Sequence, residues 1–192
     1  MNVLGSPNRS GPGYICRAPR GLAGLVTYGA HTEPSWGRTD CAVMWAQSIT
    51  NSYGWVVRDV IANKRRGTKL IVIDPVRTEL ADLAGLWIRP KYGSDCCLAL
   101  AAANVIIEER LYDEEFVTGW CTGWDELVEH ISHYTPLSAA EVTGVPAAQI
   151  REFARMYATA KSSYLADGNG FDQQVNSVQT AQGYLYLPGS VR

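Results

Sequence analysis

The chain alternates short, fully apolar runs with longer stretches of helical period. Leu70-Ile71-Val72-Ile73 places four branched apolar residues together with no polar alternation, the pattern of a strand buried on both faces by helices, as in a parallel sheet. Cys41 to Ala46 reads as an earlier strand of the same kind, and Gln47 to Asn51 as its carboxyl-end loop. Between the two strands, Tyr53 to Arg66 carries Val56, Val57, Val60 and Ile61 at helical spacing. Lys64-Arg65-Arg66 fill the last turn and Gly67 stops it. Strand, helix and strand with short links make a βαβ unit of right-handed crossover.

Flanking segments extend the pattern. Arg20 to Tyr28 is apolar and small enough for a closely packed helix, and Asn8-Arg9-Ser10-Gly11-Pro12-Gly13 before it reads as a structured loop rich in backbone donors. Glu79 to Ala84 forms a short turn, and Leu86 to Arg89 a third strand closed by Pro90. A helix follows from Cys96 to Glu109 with Asp95 at its N-cap. Helices are also expected from Leu111 and over Trp124 to Ile131. Ser138-Ala139-Ala140-Glu141 reads as a capping box with Gly144 as a stop. Pro146 opens an amphipathic helix with Ile150, Phe153, Ala154 and Tyr157 on one face. Ser163 to Ala166 is a further strand, and a last helix runs from Val175 to Tyr186, ending at Pro188-Gly189. The fold class is α/β, a Rossmann-like, mostly parallel sheet with helices on both faces.

Composition adds mostly exclusions. With 192 residues, 46% hydrophobic and 19% charged, the chain holds a globular core. A net charge of −2 gives no sign of a nucleic-acid partner. No apolar run reaches the roughly 20 residues of a membrane span, so no direct membrane insertion is expected. Met1 to Asn8 lacks the basic and apolar regions of a signal peptide. Five cysteines at 16, 41, 96, 97 and 121 show no C-x-x-C spacing and, being odd in number, no disulfide framework. Cys41, Cys96, Cys97 and Cys121 read as core residues, as do Trp120 and Trp124. His31, His130 and His133 form no defensible metal spacing, and the latter two read as surface or capping groups.

The candidate chemistry lies at strand ends and ahead of the first helix. Asp74 ends a buried strand on the carboxyl edge, where open α/β sheets bind ligands. It reads equally as an acceptor for a nucleotide or as the cap of a turn before Pro75. Cys16 stands just before a helix N-terminus with Arg17 and Arg20 close in sequence. That setting favours a thiolate, the form that binds a metal or acts as a nucleophile, while simple packing is the alternative. Gly168-Asn169-Gly170 follows a strand directly and lets backbone approach a ligand.

Together these segments resemble the dimethyl sulfoxide reductase family of molybdopterin oxidoreductases, which includes formate dehydrogenases, nitrate reductases and acetylene hydratase. The resemblance rests on Cys16-Arg17-Ala18-Pro19-Arg20-Gly21, Leu70 to Pro75 with Arg77-Thr78, and Gly93-Ser94-Asp95. Leu111 to Val117, Tyr134-Thr135-Pro136, Thr143 to Pro146 and Ile150-Arg151 extend it from about Tyr14 to Gly189. It implies molybdenum or tungsten held by two molybdopterin guanine dinucleotides, with Cys16 as the protein ligand of the metal. By the same resemblance Asp74, Pro75, Arg77 and Thr78 hold the nucleotide, and Asp95 beside Gly93 reads the guanine. Gly168, Asn169 and Gly170 line the cofactor side of the cavity. Residues 1–40 would then be a metal-ligand loop and leading helix, and 41–192 the dinucleotide-binding domain.

The departures also carry information. The family's first strand ends Trp-Gly-x-Asn-Pro, and here Trp45-Ala46-Gln47-Ser48-Ile49 stands in its place, leaving Ser48 as a phosphate donor. Formate dehydrogenases place a histidine after the metal ligand. Arg17 occupies that position here and cannot act as a base, which argues against formate oxidation. The iron–sulfur cysteine cluster, the second cofactor half and a C-terminal domain of the family have no counterpart in these residues. The chain is therefore expected to work with the remaining domains of a catalytic subunit, an iron–sulfur electron-transfer subunit and a small-molecule substrate, in the cytoplasm or exported by a twin-arginine signal. A [4Fe–4S] centre belongs to the part not represented. A stand-alone nucleotide-binding module is the alternative from another class. A nicotinamide dehydrogenase fits the βαβ unit but lacks G-x-G-x-x-G.

Overall fold

The computed structural model describes residues 11–30, 34 and 36–190. The expectations for residues 1–10 and for His31 lie outside the described residues. Four parallel strands, β1 (Cys41–Trp45), β2 (Lys69–Ile73), β3 (Leu86–Ile88) and β4 (Ser163–Asp167), form a sheet in the order β3-β2-β1-β4. The register aligns Trp45 with both Ile73 and Asp167, and Ile73 with Ile88, so all four strands finish level at the carboxyl edge. The α/β class and the parallel sheet expected from the apolar runs are both present.

The absence of alternation in β1 has a direct cause. Cys41, Val43 and Trp45 face one apolar layer, and Ala42 and Met44 the other. The first layer is built by α5 (Asp95–Glu108), α9 (Ala147–Ala158) and α10 (Ser177–Ser190), and α1 (Ala18–Tyr28) packs along α10. The second is thinner and comes from α2 (Ile49–Ser52), α3 (Gly54–Arg65) and α4 (Glu79–Leu83). Every residue of β1 is buried as a result. The apolar face predicted for α9 is the observed one, with Ile150, Phe153, Ala154 and Tyr157 buried.

Several local expectations change. The loop after β1 coils into α2. Ser94, and not Asp95, occupies the N-cap of α5, because the Asp95 carboxylate is turned inward. For α8 (Pro136–Thr143) the cap is Thr135, whose hydroxyl accepts from the Ser138 amide. Ser138 lies inside the helix, while Gly144 ends it as expected at φ 73°. The helix expected from Leu111 begins after Asp113 as α6 (Glu114–Trp120), since the Asp113 carboxylate accepts from the Phe116 amide. α7 (Trp124–Ser132) follows as expected. α10 passes through Pro188; the ring removes one N–H near the helix end, where the Tyr28 hydroxyl donates to the Leu185 carbonyl. Cys121 is exposed and Trp120 is 82% exposed, so neither is a core residue. α6 is too short to turn both inward. Cys41 is buried, and Cys96 and Cys97 are partly so. His130 and His133 lie on the surface.

Candidate functional site at the carboxyl edge of the sheet

β1 is flanked by β2 on one side and β4 on the other, and the chain reverses its direction of strand addition there. Ligands of open α/β sheets bind at that switch point. The backbone is drawn tight around it. Gly168 N–H donates to the Trp45 carbonyl at 2.9 Å and Ala46 N–H to the Ile73 carbonyl at 2.9 Å. Two cavities open on this edge. One of about 340 Å³ lies between the ends of β1 and β4, lined by Arg20, Gln47, Ser48, Asp167, Gly168 and Asn169. The other, about 410 Å³, lies between β1 and β2, with Ser48, Asn51, Asp74, Arg77 and Thr78 in its wall. Ser48 belongs to both. A third, more apolar cavity between α1, α6, α7 and α10, lined by Trp120, Cys121, Trp124 and Leu185, is remote from the strand ends.

The structure brings Cys16 to Asn169, a residue in the wall of the first cavity. A 3₁₀ turn (Pro12–Ile15) sets Cys16 directly before α1, whose N-cap is the exposed Arg17. The Cys16 thiol donates to Asn169 Oδ1 at 3.8 Å, so residues 153 positions apart meet. Arg20 bonds Cys16 through its carbonyl and not its thiol: the guanidinium faces Asp167 and Asp172, and Nη2 donates to the Cys16 carbonyl at 3.0 Å. Burial alone would make Arg20 easier to deprotonate, but the two carboxylates outweigh it and push its pKa up. Burial also raises the Asp172 carboxyl, with Arg20 opposing.

Asp74 takes the turn role weighed for it, accepting from the Val76 amide at 2.8 Å while still lining the second cavity beside Pro75. Its carboxyl is held above the usual range. Burial is the largest cause, the Val76 bond works against it, and the nearby Asp95 charge adds to it. Arg77 pairs with Asp82 at 2.6 Å and lies 5.6 Å from the Trp87 ring centre, and Thr78 caps α4. Gly93 takes φ 78° in the turn from Lys91 to Ser94 and lines neither cavity. Asp95 is buried and does not reach either cavity. Its oxygens accept from the Trp45 indole at 2.8 Å and the Gln174 amide at 3.0 Å.

The glycines have an internal reason. A Cβ on Gly168 would lie 1.9 Å from the Ala46 carbonyl oxygen, and one on Gly170 would lie 2.7 Å from the Ala46 Cβ. Ala46 itself sits at φ 53°, in the left-handed region that suits the glycine found there in the family pattern. The close approach at Gly168 is therefore to this chain's own backbone, and at Gly170 to the Ala46 methyl.

Comparison with known proteins follows the same outline. Acetylene hydratase of Syntrophotalea acetylenica is 39% identical over 189 residues, covering 97% of this chain and 26% of its own length. Formate dehydrogenase H of Escherichia coli (strain K12) is 40% identical over 149 residues, covering 78% of this chain and 21% of its own. The solved structure of acetylene hydratase from Pelobacter acetylenicus superposes with a TM-score of 0.90 at 36% identity, covering 99% of this chain and 26% of that one. The chain belongs to the dimethyl sulfoxide reductase family of molybdopterin enzymes. It spans about a quarter of the length of the family members it matches, and no family model matches it.

A molybdopterin cofactor of this family finds a compatible surface here. Gln47 Oε1 is buried at the first cavity without a hydrogen-bond partner, an acceptor suited to the amino and ring N–H groups of a pterin or guanine. Gln47, Ser48 and the Gly168 to Gly170 loop line that cavity, with Cys16 bonded to its Asn169; Asp74, Arg77 and Thr78 line its neighbour, and Pro75 lines neither. Arg20, Asp172, Gln174 and the Trp45 indole were missed as site residues. Asp172 and Gln174 lie two and four positions beyond Gly170, but nothing local in the sequence ties them to Arg20 or Asp95.

Proposed function

We propose that this chain is one wall of the catalytic subunit of a molybdenum- or tungsten-dependent oxidoreductase, binding part of a bis(molybdopterin guanine dinucleotide) cofactor. Residues 1–40 serve as the metal-ligand loop and leading helix, and 41–192 as the cofactor-binding unit. The single observation that supports it most is the meeting of the Cys16 thiol with Asn169, which lines the switch-point cavity. When bound, the cofactor supplies the redox change of oxygen-atom or hydride transfer. Cys16 contributes a soft thiolate ligand. Gln47 and Ser48 offer an acceptor and a hydroxyl to the pterin or phosphate, and Asp74 an acceptor to the nucleotide. Arg77 must leave Asp82 to reach a phosphate, an exchange that costs little because the pair is mostly exposed, with side-chain exposures of 67% and 57%.

Asp95 is the weaker part of the guanine assignment, since a base can use it only after Gln174 swings away. The exposed Phe116 and Trp120, together with Leu22, Leu25 and Val26 on α1, suit burial against the remaining domains of such a subunit. An iron–sulfur subunit and a small-molecule substrate would complete the assembly.

Calorimetric titration of the 192-residue chain with guanosine diphosphate tests the nucleotide half of the reading. Saturable binding, weakened about tenfold by Asp74→Ala, is expected, since losing one charged hydrogen-bond acceptor is worth roughly that factor. No saturable binding refutes it. Metal analysis of the full-length protein tests the other half: neither molybdenum nor tungsten in folded enzyme refutes that part while leaving a nucleotide-binding module standing.

A further inference from the structure

We infer that Arg20 is a positioning residue that locks the Cys16 segment and the Asn169 loop into one frame. The inference rests on the reading of Cys16 as the metal ligand. A guanidinium has five N–H donors and no acceptor. Here five acceptors surround it. Nε donates to Asp172 Oδ2 at 2.6 Å. Nη1 donates to the Asp167 carboxylate and, at 3.2 Å, to the Asp167 carbonyl. Nη2 donates to the Cys16 carbonyl at 3.0 Å and to Asn169 Oδ1 at 3.0 Å. The Arg20 amide adds a bond to Asp172 Oδ1 at 3.2 Å.

This inventory decides between two roles. Arg20 lines the switch-point cavity, so a cation there invites the reading of a phosphate clamp. Its donors are already committed, and its single charge faces two carboxylates whose side chains are 13% and 0% exposed. An anion would compete with both. The role left is mechanical. The segment Tyr14–Ile15 is 86% and 61% exposed, so little apolar packing holds the Cys16 loop from outside. Asn169 Oδ1 takes both the Cys16 thiol and Nη2, and the Cys16 carbonyl takes the other Nη2 donor. The thiol, the glycine loop and α1 are thus referenced to one planar group. Lysine is a point charge without the fork and cannot span these acceptors.

The test is alkylation of the 192-residue chain by iodoacetamide, with each cysteine's rate mapped by mass spectrometry. Exposed Cys121 serves as an internal reference, and partly buried Cys96 and Cys97 report global opening. Arg20→Lys is expected to change the Cys16 rate by about fivefold or more through local opening, with Cys96, Cys97 and Cys121 unmoved. Asp172→Asn, which keeps the packing, is expected to shift it in the same direction. A Cys16 rate within about twofold of the parent in both variants, or a parallel rise at all cysteines, overturns the positioning role. In the full-length metal-loaded protein, X-ray absorption gives a second readout: Arg20→Lys lengthens or loses one metal–sulfur contact at retained cofactor, and an unchanged sulfur shell overturns the role. If Cys16→Ala leaves that shell intact, the ligand reading fails separately, and the alkylation result still decides the frame.

Discussion

The sharpest quantitative consequence concerns Ala46 and the two glycines beneath it. A methyl added at Gly170 would sit 2.7 Å from the Ala46 Cβ, against the roughly 3.5–4.0 Å at which carbons pack. Overpacking of this size costs about 1–3 kcal/mol. Ala46→Gly removes the opposing methyl and also relieves the left-handed φ of 53°, worth up to about 1 kcal/mol. The double variant Ala46→Gly with Gly170→Ala should therefore lose less stability than the sum of the single changes, with a favourable coupling of about 1–2 kcal/mol. Gly168→Ala behaves differently. Its methyl meets the Ala46 carbonyl oxygen at 1.9 Å, its carbon at 2.6 Å and Gln47 Cα at 2.7 Å, all backbone, so Ala46→Gly cannot rescue it. Accommodating it must part β1 from the β4 loop and break the 2.9 Å bond from Gly168 to Trp45, for a loss above about 3 kcal/mol. Urea unfolding of the five variants at fixed pH measures this. For a chain of this length each kcal/mol also moves Tm by about 2–4 °C. Additive changes in the Ala46/Gly170 pair, or rescue of Gly168→Ala by Ala46→Gly, would refute the packing argument.

Two further outcomes follow from the same geometry. Asp74→Asn keeps an acceptor for the Val76 amide but removes a charge that burial and Asp95 disfavour, so the variant should be more stable than the parent at neutral pH. Because the folded pKa is raised, the parent gains stability as pH falls through it, and the difference should vanish below the ordinary aspartate value of 3.8; an advantage that persists in acid contradicts the assignment. Thr135→Ala should cost about 1 kcal/mol through loss of the α8 cap, and Ser138→Ala much less, a ranking that thermal melts read directly.

The fold was legible because burial on both faces leaves a plain mark. Four short apolar runs became the four strands, and the long periodic stretches α3 and α9 formed close to the expected limits. Caps were less legible. Ser138 and Thr135 both offer a hydroxyl three residues before an amide, and only the turn at Pro136 decides between them. Asp95 was misplaced for a similar reason. An acid ahead of a helix reads as a cap, yet the indole of Trp45, 50 positions away, draws the carboxylate inward. The exposed Trp120 shows a different limit: its aromatic bulk suggests a core, but a seven-residue helix offers one narrow inner face, and Val117 takes it.

The carboxyl edge separates residues by what already satisfies them. Arg20, Asp95, Gly168 and Gly170 are consumed by the scaffold: the arginine by five acceptors, the acid by an indole and an amide, the glycines by the carbonyl and the methyl of Ala46. Gln47 is not. Its Oε1 is buried with no partner, a state that costs about 1–3 kcal/mol and that native structures rarely keep without cause. Ser48 beside it is shared by both cavities. The strain at Ala46 points the same way, since the left-handed turn is what directs residues 47 and 48 over the strand end. The scaffold thus spends its strongest charges on fixing the loops. It leaves unsatisfied a short polar segment that departs from the family's usual Gly-x-Asn-Pro, and under the proposed cofactor reading a difference in grip between this chain and its relatives originates there.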